Sequence, residues 1–343
     1  MWYKRPYNFF IYSSLMIIVT GGAGSIGSNI VAALEKAGKK DLVVVDERGS
    51  SDKWKNIAKR ELCAVIPPED MLDYMEAHAE EIEAVIHMGA ISATTETDAD
   101  LIIRTNFTLS WRLWEFCALY GKQFIYASSA ATYGDASMGF DDDSSLEHVN
   151  ALRPLNAYGW SKALFDRKVA REVKEGRPVP PQYAGLKFFN VYGPNEYHKG
   201  GQKSVVAHIF PQVKVNETVK LFKSYHPDYR DGWQLRDFVW VGDCVNVVLW
   251  LLDHPEVSGL FNVGSGEARS FYDLAKAAFN ALGLQEKIAY REMPEELKGK
   301  YQYYTQADLS RLRAAGYAAP MTSLEDGVRQ YVQKYLDRED SYV

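Results

Sequence analysis

The chain has 343 residues, of which 47% are hydrophobic and 24% charged, a balance that is ordinary for a globular protein of about two domains. Its 45 Asp and Glu residues exceed its 39 Lys and Arg residues, and the net charge of −6 argues against nucleic acid as a partner. The three cysteines cannot form a disulfide framework and show no zinc-ligand spacing, so we expect no metal site and a reducing, cytoplasmic setting.

The first 15 residues could be mistaken for a weak signal peptide, because Lys4 and Arg5 precede the aromatic and apolar residues 9–12. No small-residue cleavage site follows, and the chain continues directly into residues 16–21, which predict a first buried strand and its turn. We therefore interpret residues 1–15 as an N-terminal extension, or as residues that precede the true start of the protein. No apolar stretch approaches the roughly 20 residues that span a bilayer, so no membrane partner is expected.

Short apolar segments then alternate with helical patterns. We predict strands at residues 17–19, 42–45, 84–87 and 123–127, and helices at residues 26–37 and 105–119. This alternation is typical of βαβ units. Because such units connect by right-handed crossovers, it predicts a doubly wound parallel sheet with helices on both faces.

The turn after the first strand contains Gly21, Gly24 and Gly27 in the pattern G-x-x-G-x-x-G, and it opens a helix. One glycine permits the tight turn, another lets the backbone approach a pyrophosphate, and the last lets the helix pack closely on the strand. The free N–H groups and dipole of the helix N-terminus favour the phosphates. With Asp46 at the end of the next strand, the pattern predicts a dinucleotide-binding Rossmann domain, which we place at residues 16–185.

The residues around Asp46 leave the choice between NAD and NADP open. Its carboxylate would accept hydrogen bonds from an adenosine ribose and would disfavour a 2′-phosphate. Arg48 and Lys53 follow closely and could reverse that preference. Either residue could equally be part of a solvated loop.

The second half of the chain keeps part of the strand and helix alternation. We predict a helix at residues 158–174, a Pro-rich loop at 177–181 and a strand at 186–189. Residues 195–240 are irregular, with aromatic and polar segments. We expect residues 186–343 to form mainly a smaller α/β substrate lobe, with some segments returning to the Rossmann domain.

Tyr158 and Lys162 form the pattern Y-x-x-x-K at the start of a predicted helix, and this spacing puts both side chains on one face. A nearby ammonium favours ionisation of the phenol, whose pKa is ordinarily about 10. Ser128 and Ser129 end the preceding strand, where parallel sheets present ligands. Together with the glycine turn, these side chains predict proton transfer beside a nicotinamide cofactor.

At this point residues 16–335 resemble the extended short-chain dehydrogenase/reductase family. The resemblance rests on the glycine turn, Ser129, Tyr158 with Lys162, and the segments 189–194, 236–243 and 261–266. Segments 87–96, 127–134, 195–200, 298–302 and 305–309 resemble a subgroup of nucleotide-sugar epimerases that act on ADP-heptose. The resemblance implies epimerisation at C6 through a transient ketone, an NADP cofactor (with NAD possible), supply of heptose for the lipopolysaccharide inner core, and a homo-oligomer, plausibly a pentamer.

The resemblance also implies roles for individual residues. Ser129 would polarise the reacting oxygen, Tyr158 and Lys199 would be the two acid/base groups, and Lys162 would orient the cofactor ribose and tune Tyr158. The substrate contacts would be Ser129, Asn190, His208, Phe222, Arg236 and Tyr301. The cofactor contacts would be Gly21, Gly24, Ser25, Ile26, Gly27, Asp46, Glu47, Lys53, Met88, Gly89, Ala90, Ser92, Asn106, Lys162 and Val191.

Simpler interpretations of three of these residues stay open: Arg236 in an inter-lobe salt bridge, His208 as a core or capping residue, and Lys199 as an exposed loop lysine. The chain also departs from the subgroup pattern. Ser25 replaces a bulky aromatic residue, Glu47 stands in place of Asn and weakens the case for a 2′-phosphate, and Gly201 replaces Ser. Segment 225–235 is longer than expected.

Two other functions remain possible. A UDP-hexose 4-epimerase or a nucleotide-sugar dehydratase of the same family would use Tyr158 alone, although Ala130 and Ala131 stand where a dehydratase typically has Asp and Glu. A non-catalytic member that senses the cofactor would typically lack the Tyr158 and Lys162 pair.

Overall fold

The computed structural model describes residues 15–47, 49–295, 298 and 301–343. Most of the predicted N-terminal extension, together with Arg48, lies outside these residues. Among the described helices, none combines the length and the apolar character needed to cross a membrane.

Twelve strands are described, and seven of them form one parallel sheet in the order β10-β6-β5-β4-β1-β2-β3. The strands are β1 (Met16–Thr20), β2 (Leu42–Val45), β3 (Ala64–Ile66), β4 (Ile82–His87), β5 (Gln123–Ser129), β6 (Tyr183–Phe188), β7 (Asn190–Tyr192), β8 (Val219–Phe222), β9 (Leu235–Trp240), β10 (Gly259–Val263), β11 (Ala268–Ser270) and β12 (Ile288–Arg291). Every residue of β1, β2 and β10 is buried, as expected for strands covered on both faces. The predicted doubly wound fold is confirmed.

Eleven α-helices are described, of which some cover the two faces of this sheet and others belong to a second lobe. They are α1 (Ser25–Lys36), α2 (Met71–Ala77), α3 (Ala99–Ile102), α4 (Leu109–Tyr120), α5 (Leu146–Ala151), α6 (Ala157–Lys174), α7 (Val205–Lys214), α8 (Val241–Asp253), α9 (Phe271–Ala281), α10 (Ser310–Ala314) and α11 (Leu324–Tyr331). A π-helical turn at Ile103–Thr108 joins α3 to α4, and another at Val332–Leu336 follows α11. Short 3-10 helices occupy Asp52–Asn56, Pro68–Asp70, Ala130–Tyr133 and Tyr197–Gln202.

Each face of the sheet has its own apolar core. Ile30 and Leu34 of α1 pack with Leu251 of α8 on one face, while Trp114 of α4 and Phe165 of α6 pack on the other. The long helix α6 begins where the Asn156 side chain accepts a hydrogen bond from the Gly159 N–H, a typical N-cap. These contacts fix α6, with its first turns at the carboxyl edge of the sheet.

The second lobe has a separate apolar core built from α7, α9 and α11. It contains a three-stranded sheet in the order β11-β9-β7 and the parallel pair β12-β8. Helix α8 and strand β10 pack back on the large sheet. The boundary proposed after residue 185 falls within β6, whose six residues all lie in the large sheet. Residues that follow β1, β4 and β5 line a cleft shared with the second lobe, so the carboxyl ends of these strands face that lobe.

Candidate active site

A cleft of about 940 Å³ lies between the carboxyl edge of the large sheet and the second lobe. Most of the residues singled out from the sequence line it, although they come from widely separated segments. They are Gly21, Gly24, Ser25, Ile26, Gly27, Asp46, Lys53, Met88, Gly89, Ala90, Ser92, Ser129, Tyr158, Lys162, Asn190, Val191, Lys199, Arg236 and Tyr301. The cleft thus brings the glycine turn and the predicted proton-transferring groups into one space.

The glycine turn is packed too tightly to tolerate side chains. Gly21 has φ +64°, and a Cβ atom there would lie 2.6 Å from the Gly89 nitrogen. A Cβ atom on Gly27 would lie 2.1 Å from the Gly21 carbonyl oxygen. No side chain caps the start of α1 at Gly24. The turn therefore offers backbone N–H groups and a helix dipole to an anion in the cleft, which fits a dinucleotide pyrophosphate.

Asp46 and Lys53 line the cleft beside the glycine turn. The Asp46 Oδ2 atom accepts a hydrogen bond of 2.9 Å from the Ala23 N–H, and the Lys53 ammonium lies 2.5 Å from Asp46 Oδ1. Lys53 also donates to the Glu47 carbonyl oxygen over 3.1 Å. The side chain of Glu47 is exposed and does not line the cleft. A ribose hydroxyl and an added phosphate would thus meet an anion and a cation side by side.

Ser129, Tyr158 and Lys162 come together because β5 ends where α6 begins. Lys162 is only 3% exposed, and its burial lowers its pKa to about 8 against the opposing charge of Asp166. Burial raises the pKa of the half-buried Tyr158 phenol, while the Ser129 hydroxyl favours the phenolate. Both titratable groups therefore sit in surroundings that favour their neutral forms, as expected for proton transfer.

Lys199 reaches the same cleft from the second lobe, on the short 3-10 helix Tyr197–Gln202. Burial lowers the pKa of its ammonium, and the nearby Glu196 carboxylate acts in the opposite direction. The preceding residue, His198, also lines the cleft, and burial lowers its pKa to about 4. The arrangement places a second amine in the same cleft as Tyr158 and Lys162, and not in an exposed loop.

Arg236 lies on β9 with 8% of its surface exposed, and its burial lowers its pKa. Its guanidinium stacks 5.0 Å from the Tyr301 ring and donates to the carbonyl oxygen of Leu235. Within the described residues it makes no ion pair, so the inter-lobe salt bridge is not formed there. A buried guanidinium that lacks a carboxylate partner suits an anionic ligand such as a diphosphate.

Four residues singled out from the sequence do not line the cleft: Glu47, Asn106, His208 and Phe222. Asn106 is fully buried at the π-helical turn and binds the backbone N–H and carbonyl of Ile91. It holds the loop after β4 from behind, since its amide is already occupied there. His208 approaches the Gly201 carbonyl oxygen at 3.2 Å from the exposed face of α7. Phe222 packs under the Arg291 guanidinium at 4.8 Å.

Several supporting residues were not anticipated. His87 is fully buried, with its ring nitrogens 2.6 Å from the Thr20 hydroxyl and 2.7 Å from the Ser110 hydroxyl, and burial lowers its pKa to about 3. The Thr20 hydroxyl in turn accepts a bond from the Gly89 N–H. This chain of bonds holds the glycine turn after β1 and the turn after β4 against each other. In the sequence, this hydrogen-bonded support was visible only as a histidine at the end of a strand.

Comparison with known proteins agrees with this geometry. Residues 17–264 match the model of the NAD dependent epimerase/dehydratase family. The ADP-L-glycero-D-manno-heptose-6-epimerase of Fusobacterium nucleatum is 49% identical over 336 residues, covering 96% of this chain and 100% of that protein. That of Nitratidesulfovibrio vulgaris is 48% identical over 332 residues, with 96% and 100% coverage.

Solved structures point the same way. The ADP-L-glycero-D-manno-heptose-6-epimerase of Helicobacter pylori has a TM-score of 0.76 at 27% identity, covering 94% of this chain and 96% of that one. The UDP-glucose 4-epimerase of Thermus thermophilus, solved with NAD, has a TM-score of 0.70 at 25% identity, with 93% and 98% coverage. The chain therefore belongs to the NAD dependent epimerase/dehydratase family, and within it to the group of ADP-L-glycero-D-manno-heptose-6-epimerases.

Proposed function

We propose that this chain interconverts ADP-D-glycero-D-manno-heptose and ADP-L-glycero-D-manno-heptose at C6. The observation that carries the proposal is that Tyr158 and Lys199 line one cleft together with a dinucleotide turn. C6 carries a secondary alcohol outside the sugar ring, so its hydrogen is not acidic. Removing it as a proton would leave an unstabilised carbanion, whereas oxidation to a ketone and reduction on the other face avoid that species.

A bound nicotinamide cofactor supplies the hydride acceptance and return that this route needs. The tight glycine turn and the uncapped start of α1 suit its pyrophosphate. Asp46 suits the adenosine ribose, and the loop of Met88 to Ser92 suits the nicotinamide half. We propose NADP as the preferred form, because Lys53 stands beside Asp46 with an ammonium able to pair with a 2′-phosphate.

The chain's own groups would then manage protons and orientation. Tyr158 takes the C6 hydroxyl proton on one face, with the Ser129 hydroxyl holding the reacting oxygen and favouring the phenolate. An ammonium on Lys162 would favour the phenolate further. Lys199 serves the other face of the same ketone. Arg236, stacked on Tyr301, holds the diphosphate while the heptose end turns over. Two acid/base groups suit a reaction in which one carbon is presented in two orientations.

The reaction would supply the heptose precursor of the lipopolysaccharide inner core, in the cytoplasm. The chain would work as a homo-oligomer, plausibly a pentamer, which light scattering of the purified protein tests directly. The substrate is a free nucleotide sugar, and the net charge of −6 gives no support for nucleic acid as a partner.

The test is a stereochemical assay with each ADP-heptose epimer and with UDP-galactose as the competing substrate. We expect the two ADP-heptose epimers to equilibrate and UDP-galactose to remain unchanged. Tyr158→Phe and Lys199→Met should each lower the epimerisation rate about 10² to 10⁴-fold, the usual contribution of a general acid or base. Turnover of UDP-galactose, or normal epimerisation by Lys199→Met, would favour the 4-epimerase alternative.

A further inference from the structure

The segment that carries Lys199 is closed at its base by one buried carboxylate. Glu196 is 1% exposed, and its two oxygens accept hydrogen bonds of 2.6 Å from both the backbone N–H and the hydroxyl of Ser204. Since Ser204 is also the N-cap of α7, these bonds join the start of the segment to the start of a helix. The seven residues between Glu196 and Ser204 thus form a loop with a fixed base.

The same carboxylate is tied to the core of the second lobe. The hydroxyl of Tyr331 on α11 donates to Glu196 over 3.0 Å, and the Tyr331 side chain is completely buried beside Trp240. Glu196 therefore connects the Lys199 loop to two helices that pack in one apolar core. A movement of the loop would break charge-assisted hydrogen bonds that water cannot replace at a buried position.

The charge on Glu196 has no ordinary ion-pair partner. In the described ranges of the chain, no Lys or Arg nitrogen lies within ion-pair distance of its oxygens, unlike the buried pair of Lys187 and Asp166 at 3.0 Å. The cation that it influences is Lys199, whose pKa it raises against the lowering caused by burial. Burying a carboxylate is costly even when it is hydrogen-bonded, so a purely structural closure is better served by neutral groups.

The residue that precedes Glu196 is held from the cofactor-binding lobe. The Asn56 amide donates to the carbonyl oxygens of Ala23 and Asn195, which ties the loop entry to the glycine turn. The entry of the loop is thus tied to the glycine-turn side through Asn195 and to the second lobe through Glu196. Only the Glu196 anchor adds a charge that acts on the Lys199 amine.

We propose that Glu196 is a positioning residue for Lys199: it fixes the loop that presents this amine to C6, and it acts on the reaction only through that amine. The inference rests on the proposed function of Lys199 as the second acid/base group. It assigns no direct contact with the substrate to Glu196, because Glu196 does not line the cleft.

The test is a double-mutant cycle on the epimerisation rate. Glu196→Gln keeps the size of the side chain but removes the charge and one acceptor, and it should lower kcat about 10 to 100-fold with little change in KM. In the Lys199→Met background the same substitution should have less than about a 2-fold effect, because the amine through which it acts is absent. The cofactor affinity of Glu196→Gln should match that of Lys199→Met. One ADP-heptose epimer should also reduce the bound cofactor to the same extent in the two variants.

Glu172→Gln is the matched control. Glu172 is 4% exposed on α6, pairs with Lys168 at 2.7 Å and lies away from the cleft. Its effect on kcat should be small and equal in both backgrounds. If Glu196→Gln does not fold, Tyr331→Phe removes a single donor to the same carboxylate and should show the same dependence on Lys199, with a smaller loss.

Multiplied losses in the double variant, or unchanged kcat in Glu196→Gln, would overturn the inference while the proposed function stands. A loss of cofactor affinity in Glu196→Gln as large as its loss of kcat would also overturn the inference, since that result indicates a general structural defect. Absence of epimerisation by the wild-type chain would overturn the proposed function itself, and the inference with it.

Discussion

Replacing Lys53 by Ala tests how the chain chooses its cofactor. The Lys53 ammonium lies 2.5 Å from one oxygen of Asp46, whose other oxygen is held by the Ala23 N–H. A hydrogen bond to a charged group contributes about 1.5 to 3 kcal/mol, so losing the contact with a 2′-phosphate should weaken NADP binding about 10 to 150-fold. NAD has no 2′-phosphate, and Asp46 would still face its ribose, so NAD affinity should change less than about 3-fold.

The assay is equilibrium titration of the wild type and the variant with NADPH and with NADH, followed by nicotinamide fluorescence. Lys55→Ala is the matched control, because Lys55 belongs to the same 3-10 helix but pairs with Asp52 at 3.0 Å and does not line the cleft. It should leave both affinities unchanged. Equal losses for both cofactors in Lys53→Ala, or no loss for either, would show that Lys53 serves only as a partner of Asp46.

Three further predictions follow from buried charges. Arg236→Ala should weaken ADP-sugar binding, measured by calorimetry, and leave cofactor binding intact, because this guanidinium has no ion-pair partner among the described residues. Lys162→Met should abolish epimerisation and yet raise the free energy of unfolding at pH 7 by roughly 3 kcal/mol. The Lys162 pKa is about 8 in the fold and ordinarily 10.5, so the folded state binds the proton less tightly than the unfolded chain. The gain in the free energy of unfolding, measured by thermal unfolding, should therefore shrink as the pH rises from 8 to 10.5. Lys187→Met should cost about 3 to 5 kcal/mol of stability in denaturant unfolding, because it leaves Asp166 buried without its cation, and adding Asp166→Asn should restore part of the loss.

The features predicted best from the sequence were those set by neighbouring residues. The glycine turn follows from local backbone sterics, and the helix carrying Tyr158 and Lys162 follows from its periodicity. The parallel strands were visible as short apolar runs because both faces are buried. Strand β3 was not anticipated, since its three residues are only half-buried.

The features that escaped prediction depend on contacts between distant parts of the chain. The bond from Tyr331 to Glu196 joins residues 135 positions apart, and no local pattern announces it. Asn106 was expected to contact the cofactor, but the π-helical turn directs its amide to the backbone of Ile91. The alternatives for Arg236 could be separated only once its neighbours in the fold were known.

In the proposed reaction, the hydrogen at C6 leaves and returns as hydride, while Tyr158 and Lys199 transfer only the hydroxyl proton. Turnover of ADP-D-glycero-D-manno-heptose by the wild-type chain in heavy water tests it directly, with the product analysed by NMR and mass spectrometry. If the hydrogen returns as hydride, the L-glycero product carries no deuterium at C6. Deuterium at C6 would contradict it, because it would mean that the stereocentre inverts by proton exchange with solvent.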